Sequence, residues 1–205
     1  MRRKVALSLF LVASASVTIP LTLRSSILQS LEVLVLHLFF LADVFIRPPI
    51  EGVDRESQWR AIWGKILMLA LVYLPLSGMQ GSATKSWLEA VGLSLTTFGA
   101  ILALWGRVCL GRMGTPSLTI ISEPSLYTKG LYRFIRHPIY TGFALVFLGH
   151  QITFMFMPGL IIWLALLASF IHTRIRVEEE MLVEQFRDGY LEYQKRTWKL
   201  FPYVY

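Results

Sequence analysis

The sequence predicts an all-α, multi-pass transmembrane protein of about five to six spans, and three observations carry that prediction. Of its 205 residues, 55% are hydrophobic and 16% charged, against roughly 25% charged in ordinary soluble domains; mean hydropathy is +0.55. Six apolar runs lie near 5–23, 27–46, 61–79, 87–108, 139–156 and 159–173; the first four are near the ~20 residues that a helix needs to cross a bilayer, and the last two are shorter, a hairpin whose full crossing is left open. The cations are also distributed unevenly. With the N-terminus cytoplasmic, the external loops near 24–26, 80–86 and 157–158 hold only Arg24 and Lys85 of the 20 Lys and Arg residues, as the positive-inside rule requires.

Taken in order, "MRRK" and the apolar stretch after it form the first span. The same stretch also has the layout of a signal peptide, with Ala13-Ser14-Ala15 as a cleavage site. The span is preferred because a second apolar run follows at once and pairs with it as a hairpin. That second run carries Glu32, His37 and Asp43. Titratable residues inside a span are functional candidates, but Glu32 and Asp43 lie close to the two ends of this one, and a structural role is preferred to substrate contact for Glu32 and His37. Residues 111–136 form the longest polar connection, and one of that length is usually functional or disordered. It leads into "RFIRHPIY", the start of the fifth run. Met157-Pro158-Gly159 is a turn signal separating the last two runs into a hairpin. Beyond residue 173, Met181, Leu182, Phe186, Tyr190 and Tyr193 recur at helical spacing, which predicts an amphipathic helix on the cytoplasmic side. Both chain termini are expected there.

Composition also excludes function classes. A net charge of +7 suits loops beside anionic lipid, and no nucleic-acid-binding pattern accompanies it. Cys109 is the sole cysteine, which rules out a disulfide framework or a multi-cysteine zinc site. His37, His137, His150 and His172 lack metal-ligand spacing, so no metal is expected. GxSxG, HExxH, Walker A and dinucleotide fingerprints are missing from the sequence.

Two polar clusters remain. In the first, Pro138 suits the opening turn of a helix, with His137 at its cap and Tyr140 one turn in. Exposed N–H groups at a helix start attract anions. Arg133 and Arg136 are assigned to the lipid surface. In the second, Arg174 and Glu178 share a helix face at i and i+4, and Glu179 adds a second acid. Paired acids at the edge of an apolar span suit an ammonium or sulfonium, and Arg174 suits a carboxylate through two parallel hydrogen bonds. Taken alone, either cluster also reads as an interfacial anchor.

Together the clusters are more distinctive. "GLYRFIRHPIYTG", an apolar hairpin, and "RIRVEEEMLVEQFRDGYLEY" with a Leu-Phe-Pro end resemble the isoprenylcysteine carboxyl methyltransferase family of integral membrane enzymes. Its wider superfamily includes phospholipid methyltransferases. The resemblance covers roughly residues 110–203. It implies a division into residues 1–110, four transmembrane helices on the lipid-substrate side, and residues 111–205, a catalytic region holding S-adenosyl-L-methionine at the cytosolic membrane face. It also implies site residues. His137, Pro138, Ile139 and Tyr140 match the cofactor-contacting RHPxY segment, Leu126 and Tyr127 a preceding contact, and Tyr132 the GxY tyrosine. Glu178 matches the first acid of the EE pair, with Glu179 beside it as a further cofactor contact. Arg174 matches the arginine tied to substrate and catalysis. The sequence departs from the family at Leu131 (often Pro), Arg187 (Gly), Gly189 (acidic) and Pro124 (often His).

The expectation is an S-adenosylmethionine-dependent methyltransferase acting on a lipophilic carboxylate of isoprenylcysteine type, with membrane lipids as surroundings and oligomeric state left open. Its alternatives are N- or S-methylation of a phospholipid head group or small thiol, an NADPH-dependent membrane reductase of related architecture, and a non-catalytic membrane protein.

Overall fold

A computed structural model gives the structure of the protein and describes residues 26–46, 86–111, 125–154 and 157–203. The predicted spans at 5–23 and 61–79, the Ala13-Ser14-Ala15 motif and Pro124 lie outside the described residues. Five α-helices are described: α1 (Ile27–Ile46), α2 (Ser86–Leu110), α3 (Pro138–Phe154), α4 (Met157–Phe186) and α5 (Asp188–Arg196), with a 3-10 turn at Gly130–Arg133 before α3. Among the described residues the sole β pairing is one parallel bridge between Ile135 and Trp198. The all-α expectation holds, and α1 and α2 coincide closely with the second and fourth apolar runs. By length and composition, α2 is long and apolar enough to cross a membrane.

The bundle is built on a glycine seam. Gly92, Gly99 and Gly106 recur at every seventh position of α2 and face Gly142 and Gly149 of antiparallel α3. A Cβ placed on Gly99 would lie 2.6 Å from the Gly142 carbonyl oxygen, and one on Gly149 would lie 2.5 Å from that of Gly92. Only glycine lets the two backbones approach this closely, the usual means of helix association in lipid.

α1 lies parallel to α2, as the predicted topology requires, and polar pairs fix its register. Gln29 donates to Glu89 at 3.2 Å, Thr96 donates to Glu32 at 3.0 Å, and Arg107 pairs with Asp43 at 2.5 Å. Glu32 and His150 are both 0% exposed, with His150 Nδ1 3.1 Å from the Glu32 carboxylate. These contacts give Glu32 and His37 structural partners, the role the sequence reading favoured for them over substrate contact. Glu32 is committed to Thr96 and His150, and a His37 ring nitrogen lies 2.7 Å from the Val33 carbonyl. A polar group buried in an apolar bundle must find such a partner.

α4 departs from expectation at both ends. It starts at Met157, so Met157-Pro158-Gly159 is the helix's opening turn, where the missing proline N–H is harmless. It then runs without a break past residue 173 to Phe186. Thirty residues at 1.5 Å each make a rod of about 45 Å, longer than the ~30 Å hydrocarbon core. From Arg174 onward its sequence turns from apolar to charged. The predicted amphipathic helix is instead the end of α4 plus α5, separated at Arg187, whose φ of +46° lies in the left-handed region. Beyond α5 the chain turns back, and Leu200 packs into the core with Phe39, Phe143, Phe147, Ile171 and Ile175.

Candidate active site

The start of α3 and the charged part of α4 meet face to face. Pro138 is the first residue of α3, and the His137 carbonyl accepts the Thr141 N–H at 3.1 Å, so Pro138 opens the helix and His137 caps it as the sequence predicts. One turn in, the Tyr140 hydroxyl donates to the Glu178 carboxylate at 2.9 Å. Arg174, on the same face of α4 as Glu178, is exposed and within interaction distance of that hydroxyl. Three of the residues singled out by sequence, Tyr140, Arg174 and Glu178, thus converge from positions nearly forty apart. Tyr140 and Glu178 are both half-buried.

Glu179 faces another way. It accepts from Arg136 Nε at 2.8 Å, lies 3.3 Å from His137 Nε2, and pairs with Lys199 at 3.4 Å. Burial alone would raise its pKa, but hydrogen bonds from His137 and Arg136, with the Arg136 charge, outweigh that and hold it at about 2. It is ionised throughout the physiological range. Arg136 is therefore not at the lipid surface, where the sequence reading put it. Its guanidinium also donates to the carbonyls of Gln194 at 3.0 Å and of Thr197. Arg133 is exposed, 5.9 Å from the Phe134 ring, as expected of an interfacial residue.

The remaining predicted residues gather at the end of α2. Tyr127 packs edge-on against Tyr132 with ring centroids 5.6 Å apart, and Leu126 beside it is half-buried. The Tyr132 hydroxyl donates to the Gly106 carbonyl at 3.2 Å. Burial and the nearby Glu178 carboxylate push its pKa well above the usual phenol value, so it stays a neutral donor. Tyr132 thus stands between the Tyr127 cluster and Glu178. Pro138 is fully buried, and Ile139 packs against Gly106.

A cleft of roughly 520 Å³ runs along α4 and is lined by His172, Arg176, Glu179, Glu184, Gln194 and Lys199, among others. Of the predicted site residues only Glu179 borders it. The Tyr140–Glu178 pair sits on the neighbouring face of the helix.

The model of the phospholipid methyltransferase family matches residues 87–189, half of the chain and all of this site's α3–α4 framework. The chain belongs to that family. Within it, the chain is similar to protein-S-isoprenylcysteine O-methyltransferase B of Arabidopsis thaliana, 31% identical over 58% of this chain and 61% of that protein. It is also similar to protein-S-isoprenylcysteine O-methyltransferase A of the same plant, 26% identical over 88% of this chain and 96% of the relative. The match to the first of these thus spans about three fifths of its length. The fold resembles a solved structure of the eukaryotic intramembrane Ras methyltransferase, isoprenylcysteine carboxyl methyltransferase. The TM-score is 0.65 at 21% identity, over 86% of this chain and 67% of that one.

Sequence reasoning missed the residues that fasten the site. Arg136 and Thr197 act largely through main-chain carbonyls, which leave no sequence signature. Tyr190 and Tyr193 were visible as an amphipathic stripe, and both are buried. The Tyr193 hydroxyl donates to the Tyr132 carbonyl at 2.6 Å, and burial raises its pKa to about 12. The Tyr190 hydroxyl has no hydrogen-bond partner among the described residues.

Proposed function

We propose that the chain is an S-adenosyl-L-methionine-dependent methyltransferase that works at the cytosolic face of a membrane on a lipophilic acceptor, a carboxylate of isoprenylcysteine type. The observation that carries this reading is the Tyr140–Glu178 hydrogen bond with Arg174 beside it. A carboxylate, a phenol and a guanidinium within reach of one another match a zwitterionic amino-acid end and a carboxylate acceptor. The buried groups fit as well. Tyr190 is 1% exposed, and its buried hydroxyl has no partner among the described residues and lies within electrostatic reach of Glu179 and Glu178. An orphaned buried hydroxyl calls for a polar ligand.

In this reading Glu178 holds the cofactor's ammonium, and Tyr140 fixes the orientation of that carboxylate. Leu126, Tyr127, Tyr132, His137, Pro138 and Ile139 form the wall against which the cofactor lies, with Glu179 behind it. S-adenosylmethionine, when bound, supplies an electrophilic methyl group on a sulfonium. A carboxylate acceptor is already ionised at neutral pH, so the protein's task is alignment and exclusion of water. Arg174 performs the first part by gripping the acceptor carboxylate through two parallel N–H···O bonds. The helices of residues 1–110 receive the lipid tail, and both termini are cytoplasmic.

Calorimetry on the purified full chain tests the cofactor. S-adenosylhomocysteine binds the wild type, Glu178→Gln weakens it at least tenfold, and Arg174→Ala leaves binding within about threefold while abolishing turnover. Radiolabelled methyl transfer to a prenylcysteine mimic, scored as base-labile ester, tests the acceptor. Binding of NADPH without S-adenosylhomocysteine refutes the cofactor assignment. Label that survives base moves the acceptor to an amine or thiol.

A further inference from the structure

The last residues of the described chain form a strap across the start of α3. The Arg136 N–H donates to the Trp198 carbonyl at 2.7 Å, the His137 N–H to that of Lys199 at 3.0 Å, and the Trp198 N–H to that of Phe134 at 3.0 Å. Thr141 Oγ1 donates to the Leu200 carbonyl at 2.8 Å. Side chains hold the strap from beneath. Arg136 reaches Gln194 O, Thr197 O and Thr197 Oγ1 with one guanidinium nitrogen and Glu179 with another. Lys199 returns from the strap to the second oxygen of the same carboxylate. Glu179 is the point where α4, the RHP segment and the strap are tied together.

The same carboxylate meets the His137 ring. Glu179 Oε1 lies 3.3 Å from His137 Nε2, and an ionised carboxylate only accepts, so the ring carries a proton on Nε2 and a neutral ring keeps Nδ1 as an acceptor. His137 is 4% exposed, its N–H is bound to the strap and its carbonyl to α3. Its orientation therefore depends on the strap and on Glu179.

We propose that Arg136 and Glu179 are positioning residues that clamp the Thr197–Leu200 strap over the start of α3 and set the tautomer and orientation of the His137 imidazole. This deepens the methyltransferase reading and rests on it only for the ligand that His137 meets. The two acids of the EE pair then have separate tasks: Glu178 faces the ligand, and Glu179 locks the wall. The C-terminal strap is accordingly part of the site.

The experiment uses the full chain in detergent or nanodiscs, wild type beside Arg136→Gln, Glu179→Gln, Glu179→Ala and the milder Thr197→Val. Three quantities are read: hydrogen exchange in peptides covering 132–140 and 194–203, the 15N ring shifts of His137 (assigned by their loss in His137→Gln), and the dissociation constant for S-adenosylhomocysteine. The wild type shows the Nε2–H tautomer with a protected strap. Arg136→Gln and Glu179→Ala speed strap exchange at least tenfold, leave the α2–α3 seam protected, and weaken binding by roughly tenfold, the scale of one lost charge-assisted hydrogen bond. Glu179→Gln keeps a carbonyl acceptor and falls between wild type and Glu179→Ala. Thr197→Val loosens the strap by a smaller factor, and it decides the point if a charge variant fails to fold. An Nδ1–H tautomer in the wild type overturns the proposal. So does a strap that stays protected in every variant, or one freed without any change in the His137 signals. If the wild type binds no S-adenosylhomocysteine, the functional reading fails, while exchange and ring shifts still judge the clamp.

Discussion

Acidification makes the Glu179 junction measurable as stability. The folded-state pKa of about 2 stands against an ordinary 4.5, and the side chain is only 10% exposed. At about 1.4 kcal/mol per pH unit, that gap corresponds to roughly 3 kcal/mol. Because the folded pKa is depressed, the contribution is complete above about pH 4.5. Below that the unfolded chain takes up a proton that the folded one refuses, and the contribution disappears as pH falls toward 2. Other carboxylates titrate over the same range, so the comparison is wild type against Glu179→Gln, which resembles the protonated side chain. At pH 6 the wild type melts higher by roughly 6–12 °C, taking 2–4 °C per kcal/mol for a chain of this size. The gap narrows steadily below pH 4.5 and closes near pH 2. Thermal melts followed by circular dichroism in detergent, from pH 6 to pH 2.5, measure it. A gap independent of pH, or none at pH 6, refutes the assignment of Glu179 as an ionised, paired junction.

Three other outcomes follow from named contacts. Tyr190→Phe removes a hydroxyl that has no partner among the described residues, so the melting temperature holds or rises while S-adenosylhomocysteine binding, by calorimetry, weakens roughly tenfold, the scale of one hydrogen bond. Gly99→Leu forces a side chain into a backbone contact of 2.6 Å; it costs about 3 kcal/mol or more and lowers yield and melting temperature, whereas Gly189→Ala, with nothing within 4 Å of its new Cβ, is tolerated. Arg187→Gly relieves a left-handed residue at φ +46° and stabilises by about 1 kcal/mol, read as a melting temperature a few degrees higher.

The helical bundle was legible because apolar runs bounded by charges carry a strong signal: α1 and α2 fall where the second and fourth runs were drawn. The glycine seam was present in the sequence, as Gly92, Gly99 and Gly106 at seven-residue spacing, but a seam depends on two helices and its partner glycines Gly142 and Gly149 lie roughly forty to sixty residues away. The continuity of α4 was obscured because hydropathy drops after residue 173 although helix propensity does not. At the site, Tyr140, Glu178 and Arg174 were singled out by chemistry and spacing and assigned to one site by the family resemblance, and the structure brings them together. Arg136 was misread because three of its four side-chain hydrogen-bond acceptors lie at the end of α5 and in the strap, two of them main-chain carbonyls that no residue pattern encodes. Arg187 was noted only as a departure from a glycine. The backbone shows what the glycine would be for: the chain must reverse there between α4 and α5.

The division between rigid and reachable parts follows from the same contacts. The seam ends at Gly106, whose hydrogen faces Pro138 and Ile139 and whose carbonyl takes the Tyr132 hydroxyl, so the last α2 glycine sets the height at which α3 begins. That height places His137 opposite Glu179 and Tyr140 opposite Glu178 on α4, and the strap closes the arrangement from the other side. Side chains held on helices in this way are positioned before a ligand arrives, which is what an alignment mechanism needs. Arg174 is the exposed member among the proposed site residues. It lies where the sequence of α4 turns from apolar to charged, and in the proposed reading it is the group left free to meet the acceptor carboxylate. Under the proposed function, this pairing of a wall fixed by helix contacts with one exposed arginine separates the group that binds from the group that aligns.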